Sequence, residues 1–353
     1  ATAEGCVERF REFAAQVGAE VHRRALRFRD RVVLFVEASA RQLAHSVDML
    51  SEMAELRRPP TARAFFSELS PIEQHEWIDE LQGRLRLPGD DAPSVCVLDT
   101  GVNRGHALLE PLLPESAWLS WHPEWGAADH HNHGTEMAGL AGYGDLARLL
   151  EATSPVELDH GLESVKILPP PPRANRPEQY GLVTVDAVAQ VESVAPEKPR
   201  VIFTAVTARD RMEHGEPTAW SAAVDALATG RGVVAGGDEL TYFDRDEADR
   251  QRLIVLAAGN VDPFDVTGPP REQSQLAVIE DPAQAWNALT VGAHTERVDF
   301  EDEAYPGWRA VAAAGDLSPH SRTGVLFADS WPNKPDVVFE GGNLAMSPSG
   351  EDV

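Results

Sequence analysis

Ser94-Val95-Cys96-Val97-Leu98-Asp99-Thr100-Gly101 is the stretch on which the fold turns. Five uncharged residues lead to an acid and a Thr-Gly turn. The run is too short for a helix and lacks polar alternation, so it reads as a strand covered on both faces, the habit of parallel sheets. Further apolar runs follow at Val165-Lys166-Ile167-Leu168, Val201-Ile202-Phe203-Thr204-Ala205-Val206, Leu253-Ile254-Val255-Leu256-Ala257 and Ala288-Leu289-Thr290-Val291. Helical periodicity occupies 134–150, 181–194 and 218–229. This alternation predicts an α/β domain with a doubly wound parallel sheet. Pro169-Pro170-Pro171-Pro172 predicts a stiff extended loop after the second strand.

Residues 1–88 carry a different pattern. Val7, Phe10, Ala14 and Val17 recur at helical spacing, with Gly18 as the stop. Arg31-Val32-Val33-Leu34-Phe35-Val36 predicts a buried strand, and Leu43, Val47, Leu50 and Ala54 a second helix. Ser70-Pro71-Ile72-Glu73 opens a third with an N-cap serine, proline at the first helical position and a capping-box glutamate. Ile72, Ile78, Leu81 and Leu85 fall near one face of it. The expected organisation is a small N-terminal α+β domain over 1–88, the linker Pro88-Gly89-Asp90-Asp91-Ala92-Pro93, and the α/β domain over 93–353. The chain opens on Ala1 and stops at Val353 without tail-like composition, and reads as a piece of a longer polypeptide.

The 353 residues carry 31 basic and 57 acidic side chains, a formal charge of −26. Nucleic acid and anionic membrane surfaces would repel such a chain; its acidity reads first as a device of solubility, and alternatively as attraction of a basic substrate or partner. Two cysteines, Cys6 and Cys96, imply no disulfide framework, and Cys96 within its apolar run reads as a buried free thiol. No stretch has the length of a signal peptide or a membrane span, so a cytoplasmic location is expected.

Three strand ends carry chemistry. Asp99 closes the first strand, where ligands gather in open α/β sheets, although Asp-Thr-Gly by itself is also an ordinary turn. His133-Gly134-Thr135-Glu136-Met137-Ala138-Gly139 sets a histidine at a helix start, with small residues for close packing. A base there can expose Nε2 while a carboxylate holds the other nitrogen. The crowding in Asp129-His130-His131-Asn132-His133 suggests a metal cluster, but consecutive residues rarely converge on one ion and no second ligand pair follows; no metal or other cofactor is expected. Leu256-Ala257-Ala258-Gly259-Asn260 ends another strand. Its small residues Ala257, Ala258 and Gly259 leave room for a substrate backbone, and the Asn260 amide could donate to a developing oxyanion.

Together these motifs resemble the subtilisin/kexin-like serine proteases, the subtilases. The order Asp, His, Asn is that family's, with 34 residues from Asp99 to His133 and 127 from His133 to Asn260. Asn287-Ala288-Leu289-Thr290-Val291-Gly292-Ala293, Leu317-Ser318-Pro319-His320-Ser321-Arg322-Thr323-Gly324 and Lys334-Pro335-Asp336-Val337-Val338 extend the likeness over about 93–345. The resemblance implies a subtilisin-like fold. Asp99 would hold the imidazole tautomer, His133 would act as base and acid, and Asn260 would donate to the oxyanion. Ala205-Val206-Thr207 stands where the family has Ser-Leu-Gly on its substrate strand. Thr207 in place of that glycine would narrow the primary specificity pocket and, with the proline loop, restrict specificity.

One departure matters. The family's Gly-Thr-Ser-x-Ala nucleophile motif is missing from the 353 residues, and Ser347 and Ser349 lie in a Met-Ser-Pro-Ser-Gly loop that does not fit it. The expected activity is a serine endopeptidase acting on peptide or protein substrates, with its serine beyond Val353. The alternative is a non-catalytic subtilase-fold binding module. Residues 1–88 would be an inhibitory prodomain or a docking domain. That N-terminal type, with Ala285-Trp286-Asn287-Ala288-Leu289-Thr290, resembles bacterial intracellular subtilases paired with an AAA-type ATPase.

Overall fold

The structure, a computed structural model, describes residues 3–21, 25–27, 31–43, 53, 69–209, 214–237, 239–246, 250–262, 270–299 and 305–350. The chain divides into two units. One is Ala1–Leu87 with Tyr143–Leu158, and the other is Pro88–Gly142 with Asp159–Val353.

In the first unit, α1 (Ala3–Gln16) sets Phe10 and Ala14 against Val21, Leu34 and Val36. Gly18, at φ 72°, ends the helix, and the Ala19 N–H reaches back to the Ala14 carbonyl. The single buried strand expected at 31–36 is instead two half-buried strands with different partners. Val32–Val33 pairs antiparallel with Leu26–Arg27, and Val36–Glu37 with Glu20–Val21. Two partners pull on the two ends, so the run breaks at Leu34-Phe35. Of the second expected helix, Ala40–Leu43 is helical, while Val47, Leu50 and Ala54 lie outside the described residues. α2 (Pro71–Gln82) has the full Ser70/Glu73 capping box. Its buried face is Trp77 and Leu81, one turn apart, and Ile72 is 75% exposed. Leu85–Arg86 pairs in parallel with Val156–Glu157, which with the short helix Leu146–Glu151 belongs to this unit.

The second unit holds the α/β sheet. Its strands are β1 (Ser94–Asp99), β2 (Trp118–Ser120), β3 (Gly161–Lys166), β4 (Arg200–Thr204), β5 (Leu253–Ala257), β6 (Leu289–Thr295), β7 (Asp316–Leu317) and β8 (Val337–Glu340). They run in the order β7-β6-β5-β4-β1-β3-β2, with β8 also on β6; only β7 is antiparallel. The expected parallel sheet is thus present. Strand order reverses between β1 and β4, which opens a crevice outside their carboxyl ends, where Asp99 stands.

α3 (His133–Tyr143), α4 (Tyr180–Val194) and α5 (Ala219–Thr229) cover the sheet. Cys96, Leu98, Ile202, Ile254 and Leu256 pack with Val188, Val191, Val224 and Leu227 of α4 and α5. Each such side chain contributes about 1.5–3 kcal/mol relative to exposure. Side chains alternate along β1, so Val97 and Asp99 face the other side, toward α3. The helix expected over 134–150 stops at Tyr143, because Gly144 turns left-handed (φ 61°) and Asp145 caps a new helix at Leu146. β4 ends at Thr204, leaving 205–207 beyond the sheet edge as loop. Cys96 is fully buried and free, and burial pushes its thiol far above the ordinary range.

Candidate active site

Asp99 ends β1 with 1% of its surface exposed, and His133 begins α3. The two side chains meet: His133 Nδ1 lies 2.8 Å from Asp99 Oδ1 and 3.0 Å from Oδ2. A carboxylate only accepts, so Nδ1 carries the proton and Nε2 keeps its lone pair. The Thr100 N–H also donates to Asp99 Oδ1, at 2.7 Å. The hydrogen bond to Asp99 raises the His133 pKa above 6.5; burial opposes it, and the Asp99 and Glu136 charges reinforce it.

The sequence explains this meeting locally. Gly101, at φ 101°, turns the chain where a Cβ would come within 2.5 Å of the Ala127 carbonyl oxygen. Gly134 lies so close to the Gly101 carbonyl oxygen that a Cβ would overlap it. The Gly134 N–H donates to Thr100 Oγ1 at 2.9 Å, joining the start of α3 to the end of β1. Asp129 completes the joint. Its Oδ1 accepts from the Thr100 hydroxyl and the N–H groups of His131 and Asn132, and its Oδ2 from the N–H and hydroxyl of Thr135. Partial burial works to raise this carboxyl, but the bonds from Thr135, His131 and Thr100 outweigh it and hold it down at about 2. Lys166, paired with Asp99 across β1 and β3 and 2% exposed, donates to the Ala128 carbonyl at 2.7 Å and ties down the same loop.

Asn260 follows β5 after Gly259, which sits at φ 94°. Its backbone bridges to Ser321, and its carbonyl accepts from Arg322 Nε at 2.9 Å. The residue is exposed, and among the described residues its side-chain amide makes no hydrogen bond. Asp99, His133 and Asn260 line one cleft of about 550 Å³ together with Ala205, Val206 and Thr207. Ala257, Ala258 and Gly259, expected to border the substrate, are not among the cleft's lining residues. Ala258 is 2% exposed, with its N–H on the Val291 carbonyl and its carbonyl taken by the Glu280 N–H.

Ser347 and Ser349 bond to each other at 2.8 Å on the surface, beside the short strand Ala345–Met346, and are not among the cleft's lining residues. Among the described residues no group of three or more His, Cys, Asp or Glu side chains is arranged to hold a metal ion. Both oxygens of Asp129, the acid of the suspected metal run, are spent on capping. Sequence reasoning missed that role, and it missed Lys166, Glu280 and Arg322. The available signal for Asp129 was an acid just before a helix start. Glu280 showed no pattern.

The family model described as the subtilase family (Peptidase_S8) matches residues 90–352. No curated protein matches the chain. Among solved structures, a psychrophilic protease is similar at 20% identity and TM-score 0.42, covering 75% of this chain and 72% of its own. The CspB protease of Clostridium perfringens is 12% identical at TM-score 0.45, with coverages of 74% and 77%. The epidermin leader peptide processing serine protease of Staphylococcus aureus is 12% identical at TM-score 0.38, with coverages of 98% and 81%.

Proposed function

From the premise that this chain belongs to the subtilase family, which the match over 90–352 establishes, we propose that it is the Asp-His portion of a serine endopeptidase acting on peptide or protein substrates. The nucleophilic serine is then supplied by sequence following Val353. One observation carries the reading: a buried carboxylate holds His133 Nδ1 at 2.8 Å on a cleft wall that it shares with the unbonded amide of Asn260.

The chemistry follows from these groups. Asp99 keeps the proton on Nδ1 and stabilises the imidazolium that forms. His133 Nε2 takes the serine proton as the carbonyl is attacked and returns it to the leaving amine. Asn260 donates to the oxygen of the tetrahedral intermediate, on which charge develops only as the reaction proceeds. Among the described residues no helix is long and apolar enough to cross a membrane. An inhibitory or docking role for residues 1–88, an AAA-type ATPase partner and a cytoplasmic setting rest on the sequence resemblance and composition alone.

A fluorophosphonate probe on the full-length protein tests the reading. Labelling is expected in the wild type and lost in His133→Ala. A folded full-length protein that takes no label would overturn the protease assignment and leave the binding-module reading.

A further inference from the structure

The cleft also rests on a buried ion pair that lies outside the Asp99–His133 pair. Glu280, more than twenty residues after β5, has no exposed surface. One oxygen, Oε1, lies 2.9 Å from Arg322 Nη2. The other, Oε2, accepts a short hydrogen bond from the Thr207 hydroxyl. Arg322 also holds backbone: Nε donates to the Asn260 carbonyl at 2.9 Å, and Nη1 to the Val278 carbonyl at 3.0 Å. The carboxylate therefore holds Thr207 and, through Arg322, the Asn260 backbone, and both residues line the cleft.

Gly259 shows how tight this seat is. A Cβ at 259 would come within 2.5 Å of Glu280 Oε2 and 2.6 Å of Cδ, at a residue already held at φ 94°. The residue next to Asn260 lacks a side chain because the Glu280 carboxylate fills that space. A buried charge is costly unless paired, and removing one partner strands the other. The arginine fork reaches two carbonyls while its Nη2 stands against the carboxylate as an ion pair, a span that a lysine cannot match.

We propose that Glu280 and Arg322 are positioning residues that aim the Asn260 amide at the reacting carbonyl by clamping its backbone. The proposal rests on the oxyanion role assigned to Asn260 above. Arg322 acts through Asn260, so its loss matters only while that amide is present. It gives no direct contact to substrate, so turnover should suffer and KM should not.

The test is a double-mutant cycle on the full-length protein. It reads kcat, KM and melting temperature for Arg322→Met, Arg322→Lys, Asn260→Ala and Arg322→Met/Asn260→Ala. Arg322→Met is expected to lower kcat about 10–100-fold with KM within about twofold, and Arg322→Lys to restore only a small part. The double variant should be no slower than Asn260→Ala alone, because the amide that Arg322 aims is already gone. Two outcomes overturn the clamp: effects that multiply in the double variant, or full kcat in a folded Arg322→Met while Asn260→Ala is slow. An Asn260→Ala variant that turns over normally would instead refute the oxyanion role itself, and the clamp with it. Should Arg322→Met fail to fold, Arg322→Lys and its double with Asn260→Ala give the same cycle.

Discussion

Gly134 lies against the Gly101 carbonyl oxygen with no space for a side chain; a Cβ would overlap that oxygen and stand 3.1 Å from Asp99 Cβ. The residue before Gly134 is His133, so this contact sets how near the start of α3 comes to the end of β1. Gly134→Ala should push the helix start away, lengthen the His133–Asp99 bond and lower turnover by about 10²-fold, the usual penalty for a displacement of about 1 Å. Gly139→Ala is the control, since a Cβ there meets nothing within 4 Å. It should leave turnover unchanged and stabilise α3 by up to about 1 kcal/mol. Equal turnover in the two variants would refute the spacing argument.

The Asp99–His133 bond gives activity and stability opposite dependences on pH. Asp99 raises the His133 pKa above 6.5, and the base must be neutral to act, so kcat/KM should rise with pH along a limb whose midpoint lies above 6.5. For stability the sign is reversed. The folded state favours the protonated ring, so its contribution is fully present below 6.5 and fades as pH rises through the higher folded value. Asp99→Asn should move the limb back toward 6.5 or below and lower turnover by about 10⁴. A pH–rate profile of both forms, with melting curves on the same samples, checks this. An unmoved limb would show that Asp99 does not govern the ring.

Asp129 is expected to act on folding at acid pH and on catalysis only indirectly. Its carboxyl is held down at about 2 against an ordinary 3.8, so it stabilises the fold above 3.8 and loses that contribution as pH falls toward 2. Asp129→Ala removes the acceptor for Thr100, His131, Asn132 and Thr135 together. The loss should be about 1–2 kcal/mol near neutral pH, the range of a lost helix cap. Urea melts at pH 7 and pH 3 should show the variant and the wild type converging at the lower pH. A constant gap between them would mean that the hydrogen bonds work without the charge.

The sheet was legible because β1, β4, β5 and β6 are short apolar runs, whereas the run expected at 165–168 met only the last two residues of β3, whose Glu163 and Lys166 are buried polar side chains. β2 and β7 are only three and two residues long, and the short apolar run of β8, Val337-Val338-Phe339, is exposed and was not read as a strand. The break in 31–36 was hidden because Val32–Val33 and Val36–Glu37 pair with different strands, and nothing in one run of valines tells which. The hairpin of Arg231–Gly236 with Glu239–Asp246 went unread because Thr241, Asp244 and Asp246 interrupt its apolar pattern. At the site, Asp99, His133 and Asn260 could be named from motif order. Glu280 could not, since its partners Thr207 and Arg322 are 73 and 42 residues away in sequence and only the folded chain brings them together.

Asn260 supplies the sharpest separation between a catalytic group and a turn residue. Its carbonyl is fixed by Arg322 and its backbone bridges Ser321, so the turn is held without the side chain. The amide itself is exposed on the cleft wall and has no hydrogen-bond partner among the described residues. A turn-forming asparagine would instead cap its own backbone. Asn260→Ala should therefore leave the melting temperature within about a degree, because only an exposed, unbonded group is lost. Turnover should fall by about 10²–10³, equivalent to roughly 3–4 kcal/mol of transition-state stabilisation, the loss recorded for the corresponding donor in subtilisin. KM should change little, since the ground-state carbonyl carries no full charge for the amide to meet. Asn260→Asp is the companion variant: it keeps the shape but offers an acceptor where a donor is needed, and should be at least as slow as the alanine form. Steady-state kinetics and melting curves on one preparation decide the matter. A depressed melting temperature with normal turnover per folded molecule would make Asn260 a structural turn residue and remove it from the mechanism.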